Sequence, residues 1–512
     1  MLPARADARR RRRTLRGEST RCCARADGAP VKIVLVAVHA NAMFTPLALL
    51  YLKAHLVAHG GVDADDVTIA EFDLTATAEQ VASRVLSAKA DVVGLSCYVW
   101  NIVTLRDAAR LIRDGAPQMH IVMGGPEVGP VADGELARTR AVDVIVRSEG
   151  EVPFCDLVRC WRDGGSVADV AGVSWRDGPR VVANPDAPII RDLDRVVSPH
   201  LAGYLDCAGR VICLETQRGC VFTCSFCFYN KDYSIRNRRF DLDRVKEELL
   251  FWLGQDVRQI YLMDPVFNLN AARAKEICRF IAQHNTRRIP LHTEVWAEFI
   301  DDEMARLFVE ANVTYLEVGL QTSEHAVLDI VERRFKRDAF IRGLGHLKAH
   351  RLGFELQLIA GLPGETLDTL RTSLDFAASF SPPHLAVFDL MILPGTALSR
   401  TAERLGISYD PDPPYYVRSH PSMPEADVAH ARDLARMATK LWRFQTMQLL
   451  AKATDGRYAA LVEDWLRWHG GPAKTAETRA LLPEFVAHFC ASHPVDERFF
   501  TASAAVESRE SS

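Results

Sequence analysis

Short apolar runs and amphipathic segments alternate along the first third of the chain. The first run, Val31–Val38, is rich in β-branched residues, which is typical of a buried strand. The segment after it, Thr45–His59, carries its apolar residues at helical spacing. The later segments continue the alternation, with strands at Val67–Phe72, Val92–Ser96, His120–Met123 and Val142–Val146, and helices at Ala78–Ala88 and Val103–Ala116. This pattern predicts a doubly wound, Rossmann-like α/β domain over residues 31–165.

A second alternating region begins near residue 210. The intervening residues 166–209 are irregular, and Asp177-Gly178 predicts the turn of a short hairpin in this linker. Six further strands are predicted at Val211–Leu214, Gln259–Met263, Leu291–Val295, Tyr315–Gly319, Glu355–Ala360 and Leu385–Met391. With helices between them, these strands predict a partial (β/α)6 barrel over residues 210–400. Residues 401–512 are predicted to form a helical C-terminal cap, with its longest helix from about Pro424 to Ala453.

The charge of the chain is unevenly distributed. Residues 1–30 hold nine arginines and three acids, whereas the whole chain carries a net charge of −4. The acidic remainder argues against nucleic acid as a partner. The arginine run Arg9–Arg13 lacks the apolar stretch that an export signal needs, so residues 1–30 are interpreted as a disordered basic tail. No apolar run approaches the ~20 residues that span a bilayer, and we predict a cytoplasmic protein without membrane contact.

Three of the twelve cysteines are closely spaced. Cys220, Cys224 and Cys227 form a C-x3-C-x2-C pattern, and thiolates of this kind bind iron–sulfur clusters or zinc. Three ligands on one loop can hold three irons of a 4Fe–4S cluster and leave the fourth iron open. A structural zinc site usually needs a second pair of cysteines, which the sequence does not offer. The spacing therefore favours a cluster in a reducing compartment.

This loop resembles the signature of the radical S-adenosylmethionine (SAM) superfamily, including the aromatic residue before the third cysteine, Phe226. The resemblance covers residues 210–400 and implies that SAM is reduced at the open iron to methionine and a 5′-deoxyadenosyl radical. Two later segments are similar to SAM-contacting segments of the family. They are the fourth-strand segment with Glu317 and Gln321, and the turn Gly361-Leu-Pro-Gly364-Glu365.

One element of many superfamily members is not evident. Their Gly-Gly-Glu motif follows the second barrel strand, where this chain has Met263-Asp264-Pro265. The corresponding SAM contacts are therefore placed only loosely.

The first domain has candidate ligand contacts where its strands end. It lacks the dinucleotide G-x-G-x-x-G after its first strand, so taken alone it could bind a nucleotide, a flavin, a corrinoid or nothing. Ligands of open α/β sheets bind at the carboxyl ends of the strands, which here carry Ser96, Tyr98, Gly124, Gly125, Glu149 and Gly150.

Together with the cysteine loop, this domain resembles that of cobalamin-binding radical SAM proteins, and the resemblance then covers most of residues 31–420. The D-x-H-x-x-G loop that supplies a cobalt-ligating histidine in other corrinoid proteins is absent, although His39 lies near its place. Cobalamin binding is expected without that ligand pattern.

The resemblance implies a cobalamin-dependent methyltransferase acting on an unactivated carbon, or on phosphorus, of a small molecule or peptide. Cobalamin would carry the methyl group, the 5′-deoxyadenosyl radical would abstract hydrogen, and a flavodoxin- or ferredoxin-type protein would donate electrons. Two alternatives stay open at this point. One is a radical SAM enzyme that performs dehydration, oxidative cyclisation, ring contraction or rearrangement, with or without cobalamin. The other is a non-catalytic corrinoid or redox sensor.

Overall fold

A computed structural model describes residues 31–205, 207–230, 237–493 and 495–508. The basic tail predicted for residues 1–30 lies outside the described residues. The chain divides into two units. Among the described residues, the first comprises residues 31–42, Pro46–Ile190 and Arg195–Leu205, and the second comprises Met43–Thr45, Arg191–Asp194 and the residues from 207 onward. In the part of the chain that is described, no helix combines the length and hydropathy needed to cross a bilayer.

The first unit is a seven-stranded sheet with helices on both faces. Its strands are β1 Ile33–His39, β2 Val67–Asp73, β3 Val92–Ser96, β4 His120–Gly124, β5 Val144–Val146, β6 Val173–Asp177 and β7 Arg180–Ala183. Its helices are α1 Leu47–His55, α2 Ala78–Ser87, α3 Ile102–Gly115, α4 Ala132–Arg138 and α5 Glu151–Asp163. The strand order is β2-β1-β3-β4-β5-β6-β7, with β1 to β5 parallel. This order confirms the doubly wound fold and places a topological switch point between β1 and β3.

The sequence pattern explains why this sheet is covered on both sides. The central strands are buried along nearly their whole length, as expected for parallel strands between two helix layers. In α3, Ile102, Leu105, Ala108, Ala109 and Ile112 are all fully buried at i, i+3, i+4 spacing. Separate apolar clusters fill the two faces of the sheet.

Two local expectations for this unit need revision. The helix expected over Thr45–His59 is α1 followed by a π-helical turn at Leu56–Gly60. The expected hairpin exists as β6 and β7, but β6 pairs antiparallel with β5 and so extends the first sheet. The hairpin carries the buried Trp175, which explains why it packs on the sheet instead of forming a free linker.

The second unit is built on six parallel strands in the order β15-β14-β13-β12-β11-β8. These and its short strands are β8 Val211–Leu214, β9 Gln217–Arg218, β10 Arg238–Arg239, β11 Gln259–Leu262, β12 Leu291–Val295, β13 Val313–Gln321, β14 Phe354–Ala360, β15 His384–Asp389, β16 Ser408–Tyr409 and β17 Val417–Ser419. The helices that accompany them are α6 Leu242–Leu253, α7 Ala271–His284, α8 Asp302–Glu310, α9 His325–Ile330, α10 Arg337–Ala349, α11 Leu367–Ser379 and α12 Ala397–Thr401. Strictly sequential strand order with intervening helices confirms the partial (β/α)6 barrel.

The two faces of the barrel strands differ in chemistry. On β13, Leu316, Val318 and Leu320 are fully buried, whereas Tyr315 and Glu317 occupy the alternate positions. Because side chains alternate along a strand, the apolar set packs under the helices and the polar set lines the other face. We call this polar-lined face the lumen of the barrel.

A helical region follows the barrel. Its helices are α13 Glu425–Leu441, α14 Gln445–Ala453, α15 Tyr458–His469, α16 Thr475–Ser492 and α17 Glu497–Glu507. The single long helix expected from Pro424 to Ala453 is broken between α13 and α14. Trp442 is buried at the break, where its indole nitrogen donates to the Pro382 carbonyl over 2.8 Å. This tertiary contact outweighs helical propensity, and the Gln448 amide caps the freed Trp442 carbonyl.

Candidate cofactor sites

The cysteine loop begins directly after β8, the first barrel strand. Its turn closes through a hydrogen bond from the Cys227 amide to the Cys224 carbonyl over 3.0 Å. Ser225 anchors it on both sides, because its amide donates to the Val331 carbonyl and its carbonyl accepts from the Leu398 amide. The loop is therefore held by the chain that follows α9 and by the start of α12.

The three thiols of this loop influence one another. Burial raises the pKa of Cys227 to about 12, and the neighbouring thiols Cys224 and Cys220 add to the rise. Burial likewise raises the pKa of Cys220, with a further contribution from Cys224. A bound metal centre would supply the positive charge that favours the thiolate form of these cysteines.

The donor set of the loop fits a 4Fe–4S cluster. Among the described residues, no group of three His, Cys, Asp or Glu side chains is placed to hold a single metal ion. A 4Fe–4S cluster takes each thiolate on a different iron, so three soft ligands on one loop suit it.

Asp264 supports the start of this loop. It follows β11 and is fully buried, and its carboxylate accepts hydrogen bonds from the Thr216 amide over 2.7 Å, the Gln217 amide over 3.2 Å and the Thr216 hydroxyl. Burial raises the pKa of Asp264 to about 7. Asp264 occupies the place where many superfamily members carry Gly-Gly-Glu. In this chain its carboxylate binds the residues that lead into the cysteine loop.

Glu317 lies in the lumen, in register with Glu294 on β12 and Glu355 on β14. One of its oxygens accepts from His292 over 2.8 Å and the other from the Gln357 amide over 2.7 Å. Burial opposes its ionisation, yet these partners bring the pKa of Glu317 below the usual value. The pKa shift of Glu317 therefore favours its ionised form.

The pKa of Glu294 is shifted in the opposite direction from that of its neighbour Glu317. Burial, together with the charge of Glu317, raises the pKa of Glu294 to about 8. Its oxygen accepts from the Tyr261 hydroxyl over 2.9 Å, and Glu294 also acts electrostatically on Cys227. The neighbouring carboxyl groups of Glu317 and Glu294 therefore have pKa values that are shifted in opposite directions.

The other predicted SAM contacts lie around the same end of the barrel. Gly361 and Gly364 have φ values of 88° and 89°, which favour glycine, and the Glu365 carboxylate accepts the Gly361 amide over 2.7 Å. Phe226 packs against the apolar cluster that contains Leu362. The cysteine loop and the glycine turn thus share one apolar support. Gln321 ends β13, with a φ of 70°.

The predicted cobalamin contacts lie at the carboxyl edge of the first sheet. Ser96 and Gly124 end β3 and β4, and Gly150 precedes α5. Gly125 has a φ of 109°, and a Cβ added there would lie 2.6 Å from the Cys97 carbonyl oxygen. Gly124 is different, because its added Cβ would meet only ordinary contacts.

An aromatic pair lies at this edge, formed by the predicted contact Tyr98 and by Trp100, which was not among the predicted contacts. The rings of Tyr98 and Trp100 stack with centroids 4.4 Å apart, and Trp100 is 46% exposed. The indole nitrogen of Trp100 donates to the Val38 carbonyl at the end of β1 over 3.1 Å, and the Asn101 amide donates to the same carbonyl. A fixed, exposed aromatic surface beside open glycine backbone suits a large planar macrocycle such as a corrin.

His39 is engaged by another side chain. Its ring nitrogen Nε2 lies 2.8 Å from a Glu71 carboxylate oxygen. His39 lies near the place of the cobalt-ligating histidine of other corrinoid proteins. In this chain its ring is paired with the Glu71 carboxylate.

Comparison with known proteins decides between the ligands open to these folds. The B12 binding domain family matches residues 33–158, and the radical SAM superfamily matches residues 214–377. The chain is a radical SAM protein with a B12-binding domain. The two matched ranges contain every site residue named above for cobalamin, the cluster and SAM.

Two curated relatives of this radical SAM protein are informative. The cobalamin-dependent radical SAM methyltransferase TokK of Streptomyces tokunonensis is 26% identical over 423 residues, which cover 78% of this chain and 61% of the relative. The anaerobic magnesium-protoporphyrin IX monomethyl ester cyclase of Rubrivivax gelatinosus is 28% identical and covers 66% of this chain and 62% of the relative. The chain spans about three fifths of the length of the curated relatives it matches.

A solved structure supports the fold of the whole described chain. The cobalamin-dependent SAM radical enzyme OxsB, with aqua-cobalamin and SAM bound, matches with a TM-score of 0.66 at 16% identity, over 94% of this chain and 79% of OxsB. The likeness at this identity concerns the fold. It extends through the Rossmann-like unit, the barrel and the helical C-terminal region.

Gly125 provides a test of the B12-binding edge of this radical SAM protein. Replacing it with Ala forces a positive φ on a side chain and drives Cβ into the Cys97 carbonyl. We expect a loss of about 2–4 kcal/mol in unfolding free energy and weaker retention of hydroxocobalamin. Thermal denaturation and cobalamin content after gel filtration measure both. Gly134→Ala is the matched control, because it lies in α4 with nothing within 4 Å of the added Cβ, and it should retain cobalamin fully.

Proposed function

We propose that this chain is a cobalamin-dependent methyltransferase that uses radical SAM chemistry on an unactivated carbon, or on phosphorus, of a small molecule or peptide. The observation that carries the proposal is the pairing, in one chain, of a three-thiol loop within a radical SAM domain with a B12-binding domain. The TokK relative, named as a methyltransferase, supports the same conclusion.

Each cofactor has a set of residues in this proposal. Cys220, Cys224 and Cys227 hold the 4Fe–4S cluster. SAM is bound by residues around the glycine turn and the end of β13, namely Phe226, Glu317, Gln321, Gly361 and Gly364. Cobalamin lies against the carboxyl edge of the first sheet, at Ser96, Tyr98, Gly124, Gly125, Glu149 and Gly150, with Trp100 added from the structure. When bound, the cluster and SAM supply a hydrogen-abstracting radical, and cobalamin supplies a transferable methyl group.

The protein itself contributes position and environment. The cysteine loop is held in place by Ser225 and supported by Asp264, so the residues that would hold the cluster have a fixed position. In the lumen, the carboxylate of Glu317 is oriented by His292 and Gln357, which leaves it ready to accept a donor from a bound ligand. Such preorganised groups bind without rearrangement and exclude water from the reacting centre.

A second candidate function is radical-dependent oxidative cyclisation. The observation in its favour is the identity of 28% to the magnesium-protoporphyrin IX monomethyl ester cyclase. The two functions predict different products, because methylation adds one CH2 to the substrate and cyclisation removes hydrogen. Product mass therefore separates them once a substrate is in hand.

The products of SAM test the methyltransferase proposal without a known substrate. We expect the anaerobically reconstituted chain, reduced with titanium(III) citrate, to convert SAM to S-adenosylhomocysteine only when hydroxocobalamin is supplied. It should form 5′-deoxyadenosine with or without cobalamin. Both products are measured by liquid chromatography with mass detection. If 5′-deoxyadenosine forms and S-adenosylhomocysteine never does, the chain is a radical SAM enzyme that does not methylate. If neither forms, a corrinoid or redox sensor becomes the better description.

Two further parts of the proposal concern the setting of the enzyme. A flavodoxin- or ferredoxin-type protein supplies the electron to the cluster, and the cytoplasm, with its reduced thiols, is the compartment in which three free cluster ligands persist.

A further inference from the structure

Arg333 is a cation placed directly beside a cluster ligand. It lies in the segment between α9 and α10, and its Nη1 is 3.8 Å from the Sγ atom of Cys224, within reach of an N–H···S contact. Sequence analysis offers no signal for this residue, because the contact joins positions that are 109 residues apart.

The guanidinium group is held from several directions. Nη2 donates to the carbonyl of Gly319 near the end of β13, and the group lies 4.6 Å from the centroid of the Trp296 ring. Trp296 is itself fixed, because its amide and carbonyl form two hydrogen bonds of 2.9 Å with the Asn268 side chain. The charge of Arg333 therefore has one defined position relative to Cys224.

The charge reaches more than one thiol. Besides its contact with Cys224, Arg333 also acts electrostatically on Cys220. Arg333 also acts electrostatically on the carboxyl group of Glu298, whose pKa burial raises above the usual value. Since arginine keeps its charge at every physiological pH, a positive charge remains beside the cysteine loop.

A positive charge and an N–H···S contact have a known effect on an iron–sulfur cluster. One-electron reduction adds one negative charge to the cluster and its thiolates, and both features stabilise that added charge. We propose that Arg333 is a positioning residue that raises the reduction potential of the cluster held by Cys220, Cys224 and Cys227. The inference rests on the proposed function only in requiring that these cysteines hold the cluster.

The test is a measurement of the midpoint potential without SAM. Wild-type, Arg333→Gln and Arg333→Lys chains are reconstituted with iron and sulfide and poised at a series of potentials, and the reduced cluster is quantified by electron paramagnetic resonance. At a fixed potential we expect Arg333→Gln to lower the ratio of reduced to oxidised cluster about tenfold, which corresponds to a shift of 59 mV for one electron. Arg333→Lys keeps the charge but loses the planar fork, so its shift should be clearly smaller.

A matched control and the iron content distinguish the possible failures. Arg306→Gln removes an exposed arginine of α8 that pairs with Glu310, and it should leave the potential unchanged. A wild-type potential in a fully loaded Arg333→Gln protein would overturn the proposal. So would equal shifts in the Gln and Lys variants, or loss of iron from both, because Arg333 would then act through structure alone. A wild-type chain that assembles no cluster would instead refute the cluster assignment itself.

Discussion

The Cys224→Ala protein is expected to form no detectable 5′-deoxyadenosine from SAM under conditions in which the wild type does. Cys224 is the buried member of the three-thiol loop, and a cluster deprived of one of three protein ligands has two irons without protein support. Iron content and SAM products are measured on the same reconstituted sample. The iron content reports the loss of the cluster, and the SAM products report the loss of SAM cleavage.

A control separates the loss of a ligand from the loss of a buried thiol. Cys278 is fully buried on α7, where burial raises its pKa to about 12 and keeps it neutral, so Cys278→Val replaces one small apolar group by another. This variant should keep full iron content and SAM cleavage. Cleavage at the wild-type rate in Cys224→Ala would defeat the assignment of the cluster to this loop.

Removing the carboxylate of Asp264 should have the next largest effect. The side chain is fully buried, and Asp264→Ala leaves two backbone amides and one hydroxyl of Thr216 and Gln217 without their acceptor. At about 1–3 kcal/mol for each buried unsatisfied group, partly recovered by relaxation, we expect a loss of about 3–5 kcal/mol in unfolding free energy. Cluster retention should fall as well, because these residues lead into the cysteine loop.

A graded set of variants tests this explanation. Thr216→Val removes only the hydroxyl donor and leaves both backbone hydrogen bonds, so its cost should be about 1 kcal/mol. Asp264→Asn keeps one acceptor oxygen and should fall between the two. Chemical denaturation gives the three values, and a cost for Asp264→Ala no larger than that for Thr216→Val would show that Asp264 does not support the loop.

The sequence predicted best what depends on neighbouring residues. The cysteine spacing and the buried strands are local patterns, and the alternation of strands with helices predicted a doubly wound domain and a partial barrel. The hairpin was placed in a linker because period-two alternation does not say which sheet edge it joins. The break at Trp442 was missed because its cause, the Pro382 carbonyl, lies 60 residues away.

In the candidate site, too, the sequence predicted residues that belong to local patterns but not the contacts that distant parts of the chain make with them. Glu317 was selected from its strand, but its ionisation depends on His292 and Gln357, which β12 and β14 bring to it through strand register. Trp100 was not among the predicted contacts, and only the structure shows its ring exposed at the sheet edge. Arg333 lies in an ordinary charged stretch, and no sequence pattern reports its position beside Cys224.

The division of the chain into units has a practical consequence for dissecting it. The segment Met43–Thr45 lies between β1 and α1 in the sequence but belongs to the barrel unit. There Phe44 forms a parallel bridge with Val211, and the Thr45 hydroxyl accepts a hydrogen bond from the Cys213 amide over 3.0 Å. These residues cover part of β8, which is otherwise an edge strand. A fragment that starts after the linker would expose those backbone groups to pairing between chains, so insoluble expression of an isolated barrel would say nothing about its chemistry.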